Sequence, residues 1–123
     1  MTIHIYGLLD PRNGVVRYVG QCENLKTRYT LHLSQAMRGD KPQSAWIRKL
    51  APEKPVLVHL ESVEQKRLRL PGSCRSVRLS SIIEAKWLKR FRRTVLNLNK
   101  RQCNAYDEFV NSPELQTRYG LSQ

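Results

Sequence analysis

His4-Ile5-Tyr6-Gly7-Leu8-Leu9-Asp10-Pro11-Arg12-Asn13-Gly14-Val15-Val16-Arg17-Tyr18-Val19-Gly20 holds the key to this 123-residue chain. Two runs rich in β-branched and aromatic residues, Ile3 to Leu9 and Val15 to Gly20, flank a dense turn signal. Pro11 fixes its own φ, and Asn13-Gly14 supplies residues able to take positive φ, so the two runs form an antiparallel hairpin.

Beyond the hairpin, Asn24 is placed to cap a helix from about Leu25 to Arg38, with Leu25, Arg28, Tyr29 and His32 on one face and Gly39 at its end. A short helix over Gln43 to Leu50 stops before Pro52, and Pro55 to Glu61 reads as a third strand. Glu64 to Arg78 alternates bases with leucine and contains Pro71-Gly72, which suits a basic loop or a short hairpin. Ser80 or Ser81 then caps a helix from about Ile82 to Arg93, in which Ile83, Trp87 and Phe91 recur at four-residue steps. Val95 to Leu98 follows as a short extended piece, and Ser112-Pro113-Glu114 is a second capping signal. The order β-β-α-α-β-α plus a C-terminal tail predicts an α+β fold: a small, mostly antiparallel three-stranded sheet flanked by helices. The expected domain covers residues 1–101 with a basic insertion at about 64–78, and residues 102–123 form a C-terminal extension with helical character.

Charge narrows the partners. The net charge is +12 and the pI about 10.2, so a polyanion is expected. From Lys66 to Arg101 there are twelve bases and one acid, Glu84, whereas the other 87 residues hold ten bases and nine acids. A solvated charged face normally mixes both signs; this one concentrates a single sign. Nucleic acid is therefore the expected partner. An anionic membrane surface ranks behind it, because no helix shows a clean basic-amphipathic split, and no apolar run approaches the roughly 20 residues of a span. Cys22, Cys74 and Cys103 are odd in number, far apart and without a Cys-x-x-Cys pair. That usage points to reduced structural thiols and, with no signal-peptide pattern at the start, to a cytoplasmic setting.

The polar residues of the hairpin and helices form an ordered set that resembles the GIY-YIG endonuclease family. His4-Ile5-Tyr6 and Tyr18-Val19-Gly20 are similar to the family's Gly-Ile-Tyr and Tyr-Ile-Gly elements, with His4 in place of the glycine and Val19 in place of the isoleucine. Arg28 and His32, at i and i+4, resemble its helix arginine and histidine. Glu84 within Ile82-Ile83-Glu84-Ala85 resembles its helix glutamate, and Val95-Leu96-Asn97 its asparagine element. The match runs from about Ile3 to Asn99. No separate DNA-recognition domain is visible.

The resemblance implies a metal-dependent endonuclease with one Mg²⁺ or Mn²⁺ on Glu84, a hard oxygen ligand. An ordinary surface glutamate paired with Lys86 or Lys89 is the competing reading of Glu84. Arg28 offers two parallel hydrogen bonds to phosphate. Tyr6 is implied as the base that takes a proton from water, with the positive charge of Arg28 and the metal expected to lower its pKa. Tyr18 would orient water or phosphate, and His32 would bond a tyrosine hydroxyl or accept the relayed proton. Asn97 would hold the active-site loop or contact phosphate, with Asn99 the competing choice; His4 and His59 read as structural. Arg67, Arg69, Arg75, Arg78, Lys86, Lys89, Arg90 and Arg93 are the candidate nucleic-acid contacts. Family analogy favours DNA over RNA. The rival readings are an inactive nucleic-acid-binding module of the same fold and a basic ribonucleoprotein component. Tyr106, Phe109 and Tyr119 make the tail the first candidate for a homodimer contact.

Overall fold

Asp10 shows how the first hairpin closes. Its carbonyl accepts from the N–H groups of Asn13 and Gly14, its N–H donates to Val15, and Gly14 takes the positive φ, 72°, that the turn demands. Its buried carboxylate accepts from Arg12 Nε at 3.0 Å and Nη2 at 2.7 Å, with Trp46 Nε1 at 3.4 Å. The Arg12 hydrogen bond, the largest influence, holds the carboxyl well below the usual range.

The structure, a computed structural model, describes residues 1–69 and 76–113. The Pro71-Gly72 break, Cys74, Arg75, Glu114 and Tyr119 lie outside the described residues. The hairpin strands are β1 (Thr2–Leu9) and β2 (Val16–Cys22), followed by α1 (Leu25–Ala36), α2 (Pro42–Leu50) and β3 (Val56–Glu64). A small hairpin, β4 (Arg67–Arg69) with β5 (Ser76–Arg78), precedes α3 (Leu79–Arg90) and α4 (Lys100–Val110). The main sheet is antiparallel with order β2-β1-β3, so the fold is α+β with a three-stranded antiparallel sheet and four helices among the described residues. Among the described residues no helix is long and apolar enough to cross a membrane.

β1 lies in the middle with both faces covered. Ile3 and Ile5 point into a core with Val19, Val63, Ile82, Ile83, Leu88 and Phe109, under α3 and α4. Tyr6 and Leu8 point the other way, into a core with Tyr18, Ala36, Trp46 and Ile47, under α1 and α2. The period-2 alternation of strand side chains thus sends alternate residues of one strand to two cores.

Two local expectations shift. Asn24 does cap α1, accepting from Thr27 N–H at 3.0 Å, but α3 starts and ends three residues before the predicted Ile82 and Arg93. Neither Ser80 nor Ser81 caps it. The side chain of Gln65 accepts from Ser80 N–H at 3.2 Å and donates to Ser80 Oγ at 2.8 Å, while the Lys66 carbonyl accepts from Leu79 N–H. The orphan amides of the helix start are satisfied from the β3–β4 junction, not by a local serine. The basic segment forms a paired hairpin, and α4 packs on α3, burying Phe109 completely in the chain's own core.

Candidate active site

The register of the hairpin places Tyr6 opposite Gly20 and Leu8 opposite Tyr18, so Tyr6 and Tyr18 project from one sheet face toward α1. On α1, the i, i+4 spacing of Arg28 and His32 aims both at that face. The result is one cluster. The Tyr6 hydroxyl lies 2.6 Å from His32 Nε2, and Arg28 Nε donates to the same oxygen at 3.2 Å. The ring of His32 stands edge-on to Tyr18 at 4.8 Å, and the two tyrosine rings are 6.2 Å apart. Because Arg28 occupies the phenolic oxygen as donor, the phenolic proton is left for His32 Nε2, which makes the imidazole an acceptor there.

Burial governs the protonation states. It pushes His32 down to about 4, with the Arg28 charge adding to the effect, so the imidazole is neutral near pH 7. Burial also raises the Tyr6 pKa, with Tyr18 contributing, and the hydrogen bond and charge of Arg28 offset only part of the rise. Arg28 alone therefore leaves Tyr6 a neutral phenol, whereas the expectation rested on Arg28 and a metal acting together. Tyr6 is also enclosed, 0% exposed, whereas Tyr18 is 9% exposed and lies nearer the surface. For Arg28, burial opposes the charge, but hydrogen bonds to Tyr6 and Tyr18 outweigh it and its pKa is raised.

Glu84 approaches from the opposite face of the sheet. It is half-buried on α3, and desolvation raises its pKa while hydrogen bonds from Gln21 and Gln102 and the charges of Arg78 and Arg28 pull it back. The lysines that were its rival partners are engaged elsewhere. Lys86 Nζ pairs with Glu61 at 2.5 Å, and Lys89 pairs with Asp107. Among the described residues no ion pair holds Glu84 at salt-bridge distance. A desolvated carboxylate held in no close ion pair among the described residues suits a hard divalent ion. The described residues contain no group of three or more His, Cys, Asp or Glu for a metal, so water and phosphate oxygens would fill the remaining positions.

The two asparagines separate cleanly. Asn97 donates from Nδ2 to the Val19 carbonyl at 2.6 Å and accepts from Val19 N–H at 3.3 Å, so it clamps β2 between the two motif residues Tyr18 and Gly20. Asn99 caps α4, accepting from Gln102 N–H at 3.1 Å. Asn97 is therefore a positioning residue for the tyrosine strand.

Arg67, Arg69, Arg78, Arg90 and Arg93 are exposed, whereas Lys86 and Lys89 are tied to carboxylates and lie near the rings of Trp87 and Tyr106. Arg93 sits in the turn beyond α3, where it lines a depression of about 330 Å³ with Arg90, Phe91, Arg92 and Thr94. Sequence reasoning missed Arg92, Gln21 and Gln102. It also left Gly20 without a role, although the glycine stands in the quoted motif and its lack of a side chain makes room for both tyrosines. No protein-family model, curated protein or solved structure matches the chain.

Proposed function

We propose that this chain is a divalent-metal-dependent endonuclease of GIY-YIG type that hydrolyses phosphodiester bonds of nucleic acid, DNA in preference to RNA. The observation that carries this reading is the Tyr6 hydroxyl held between Arg28 Nε and His32 Nε2, with Glu84, on the opposite face of the sheet, in no ion pair at salt-bridge distance among the described residues.

Arg28 is the residue on which the reading turns. In the free protein its guanidinium spends a hydrogen bond on Tyr6; a phosphate diester, being anionic, competes for that donor. Withdrawal of Arg28 toward phosphate frees a lone pair of the Tyr6 oxygen for the attacking water. The water proton passes to that oxygen as the phenolic proton passes to neutral His32, so no free phenolate is needed. The resulting hydroxide forms the new P–O bond, and the bond to the leaving oxygen breaks, with a proton supplied from solvent. His32 also borders a cavity of about 610 Å³ beside Arg38, Lys41 and Ser44, which offers the imidazolium a route back to solvent. Tyr18, the outer phenol, orients water or phosphate. Mg²⁺ or Mn²⁺ on Glu84 would neutralise charge on the phosphoryl and leaving oxygens. The exposed arginines of β4–β5 and of the turn after α3 supply contacts to the backbone that carry no sequence information.

The test is incubation of purified protein with plasmid and with single-stranded DNA in Mg²⁺, Mn²⁺ or EDTA. Metal-dependent cleavage lost in Glu84→Ala is the expected result. Tight binding without cleavage under every metal condition would instead favour the inactive binding module.

A further inference from the structure

The sheet face that carries Tyr6 holds a second polar group beside it. His4 lies two residues before Tyr6 on β1 and is the register partner of Ser62 on β3; His59 is the register partner of Tyr6, brought alongside by the irregularity between Ile5 and Tyr6. Nδ1 of His4 stands 3.3 Å from Nε2 of His59 and 3.1 Å from Oγ of Ser62. The same hydroxyl is 3.0 Å from Nε2 of His59, and the two rings meet edge to face at 5.1 Å. His59 and Ser62 are exposed and His4 is half-buried, so the group opens to solvent.

Three electronegative atoms so close have few protons to share. The serine brings one, and two facing imidazole nitrogens are satisfied only if one of them carries a hydrogen. A divalent cation can take the place of that hydrogen, between the two nitrogens. Nitrogens bound to one tetrahedral zinc at about 2.0–2.1 Å stand about 3.3–3.4 Å apart, which is the separation found here. The ladder between β1 and β3 already fixes both backbones, so little ordering remains to be done on binding.

We propose that His4 and His59 bind one borderline divalent cation of the Zn²⁺ class, with Ser62 as the third group and water completing a tetrahedral shell. Imidazole donors select Zn²⁺, Co²⁺, Ni²⁺ or Cu²⁺ over Mg²⁺ and Mn²⁺. The site is thus chemically distinct from Glu84 and stands whether or not the chain is a nuclease. It also gives a role to the histidine that replaces glycine in the first motif.

The experiment titrates untagged full-length protein with Co²⁺, followed by visible ligand-field absorption, and with Zn²⁺ by calorimetry. One equivalent should bind with the absorption of a tetrahedral ion, and Glu84→Gln should bind as the wild type does. His4→Ala and His59→Ala should each weaken Zn²⁺ by more than about tenfold, at least the loss typical of outer-shell changes, and Ser62→Ala should weaken it less. Circular dichroism confirms folding. If His4→Ala unfolds, His59→Ala and His59→Gln at the exposed position decide alone. Absence of stoichiometric binding, unchanged affinity in folded His59 variants, or loss of the Zn²⁺ equivalent in Glu84→Gln overturns the site.

Discussion

Gly20 and the hydroxyl end of Tyr6 are packed so closely that a β-carbon at residue 20 would stand 2.6 Å from the phenolic oxygen and 2.7 Å from Cζ. Tyr18 Cε1 would be 2.9 Å away. The φ angle of Gly20 is not in the left-handed region, so glycine is required here for space. Gly20→Ala is expected to displace Tyr6 from Arg28 and His32. Overpacking of this kind costs about 1–3 kcal/mol, and a displacement of about 1 Å costs about 10²-fold in rate. Thermal unfolding and single-turnover cleavage measure both; a variant with wild-type rate would mean that Tyr6 has no part in the chemistry.

Tyr6→Phe should damage more than the rate. The hydroxyl is a buried partner to both Arg28 and His32, so its loss should cost about 1–3 kcal/mol in urea unfolding. Cleavage should fall by about 10²–10⁴-fold, the usual range for a proton-transfer group. A rate loss under tenfold would remove Tyr6 from the proton path.

His32 makes stability depend on pH. Its folded pKa, about 4, lies below the ordinary value near 6.5, so between those limits the unfolded chain binds more protons. Stability is then fully present above about 6.5 and declines as pH falls toward 4. From pH 7.5 to pH 5 this group alone should remove about 2 kcal/mol. Urea unfolding at the two pH values should show that loss in the wild type, with a smaller one in His32→Gln. Equal losses would mean that the imidazole is protonated inside the fold.

Glu84→Gln should separate stability from activity. Burial raises the Glu84 pKa, so its charged form opposes folding at neutral pH and the neutral amide should leave the melting temperature unchanged or higher. Metal-dependent cleavage should vanish while nucleic-acid binding persists. A lower melting temperature would show that the carboxylate serves the fold.

The hairpin arginines should set salt sensitivity. If about six phosphates are contacted, affinity should drop roughly 10³-fold between 50 and 200 mM salt. Replacing exposed Arg67, Arg69 and Arg78 together by alanine should flatten that slope and raise Kd while kcat stays near wild type. An unchanged slope would mean that β4–β5 faces away from the nucleic acid.

What was legible in the sequence was what local chemistry encodes. Asn13-Gly14 announced the first hairpin and Asn24 the first helix, and the hairpin register with the i, i+4 step brought Tyr6, Tyr18, Arg28 and His32 to one place. The start of α3 was not legible, because Gln65 and the Lys66 carbonyl satisfy its first amides from another part of the chain. The balance of the protein's own influences on Tyr6 is hidden in the sequence for a related reason. The charge of Arg28 can be read from residue names, but the burial that outweighs it exists only after α1 and α2 cover the sheet. Likewise nothing local announces that Lys86 answers Glu61 and Lys89 answers Asp107, or that Phe109 of the tail belongs to the core.

β2 ends the sheet on one side, and the segment after α3 runs along it. Leu96 N–H donates to the Arg17 carbonyl at 2.7 Å, and the Asn97 amide answers both backbone groups of Val19. One backbone group and one side-chain amide thus imitate a neighbouring strand where the outermost ladder would otherwise offer unpaired hydrogen-bonding groups. A border sealed in this way cannot template pairing with the strand of another molecule at those positions, the route by which open sheets join and aggregate. Asn97→Ala would take both of those partners from Val19 and leave the border open at that residue.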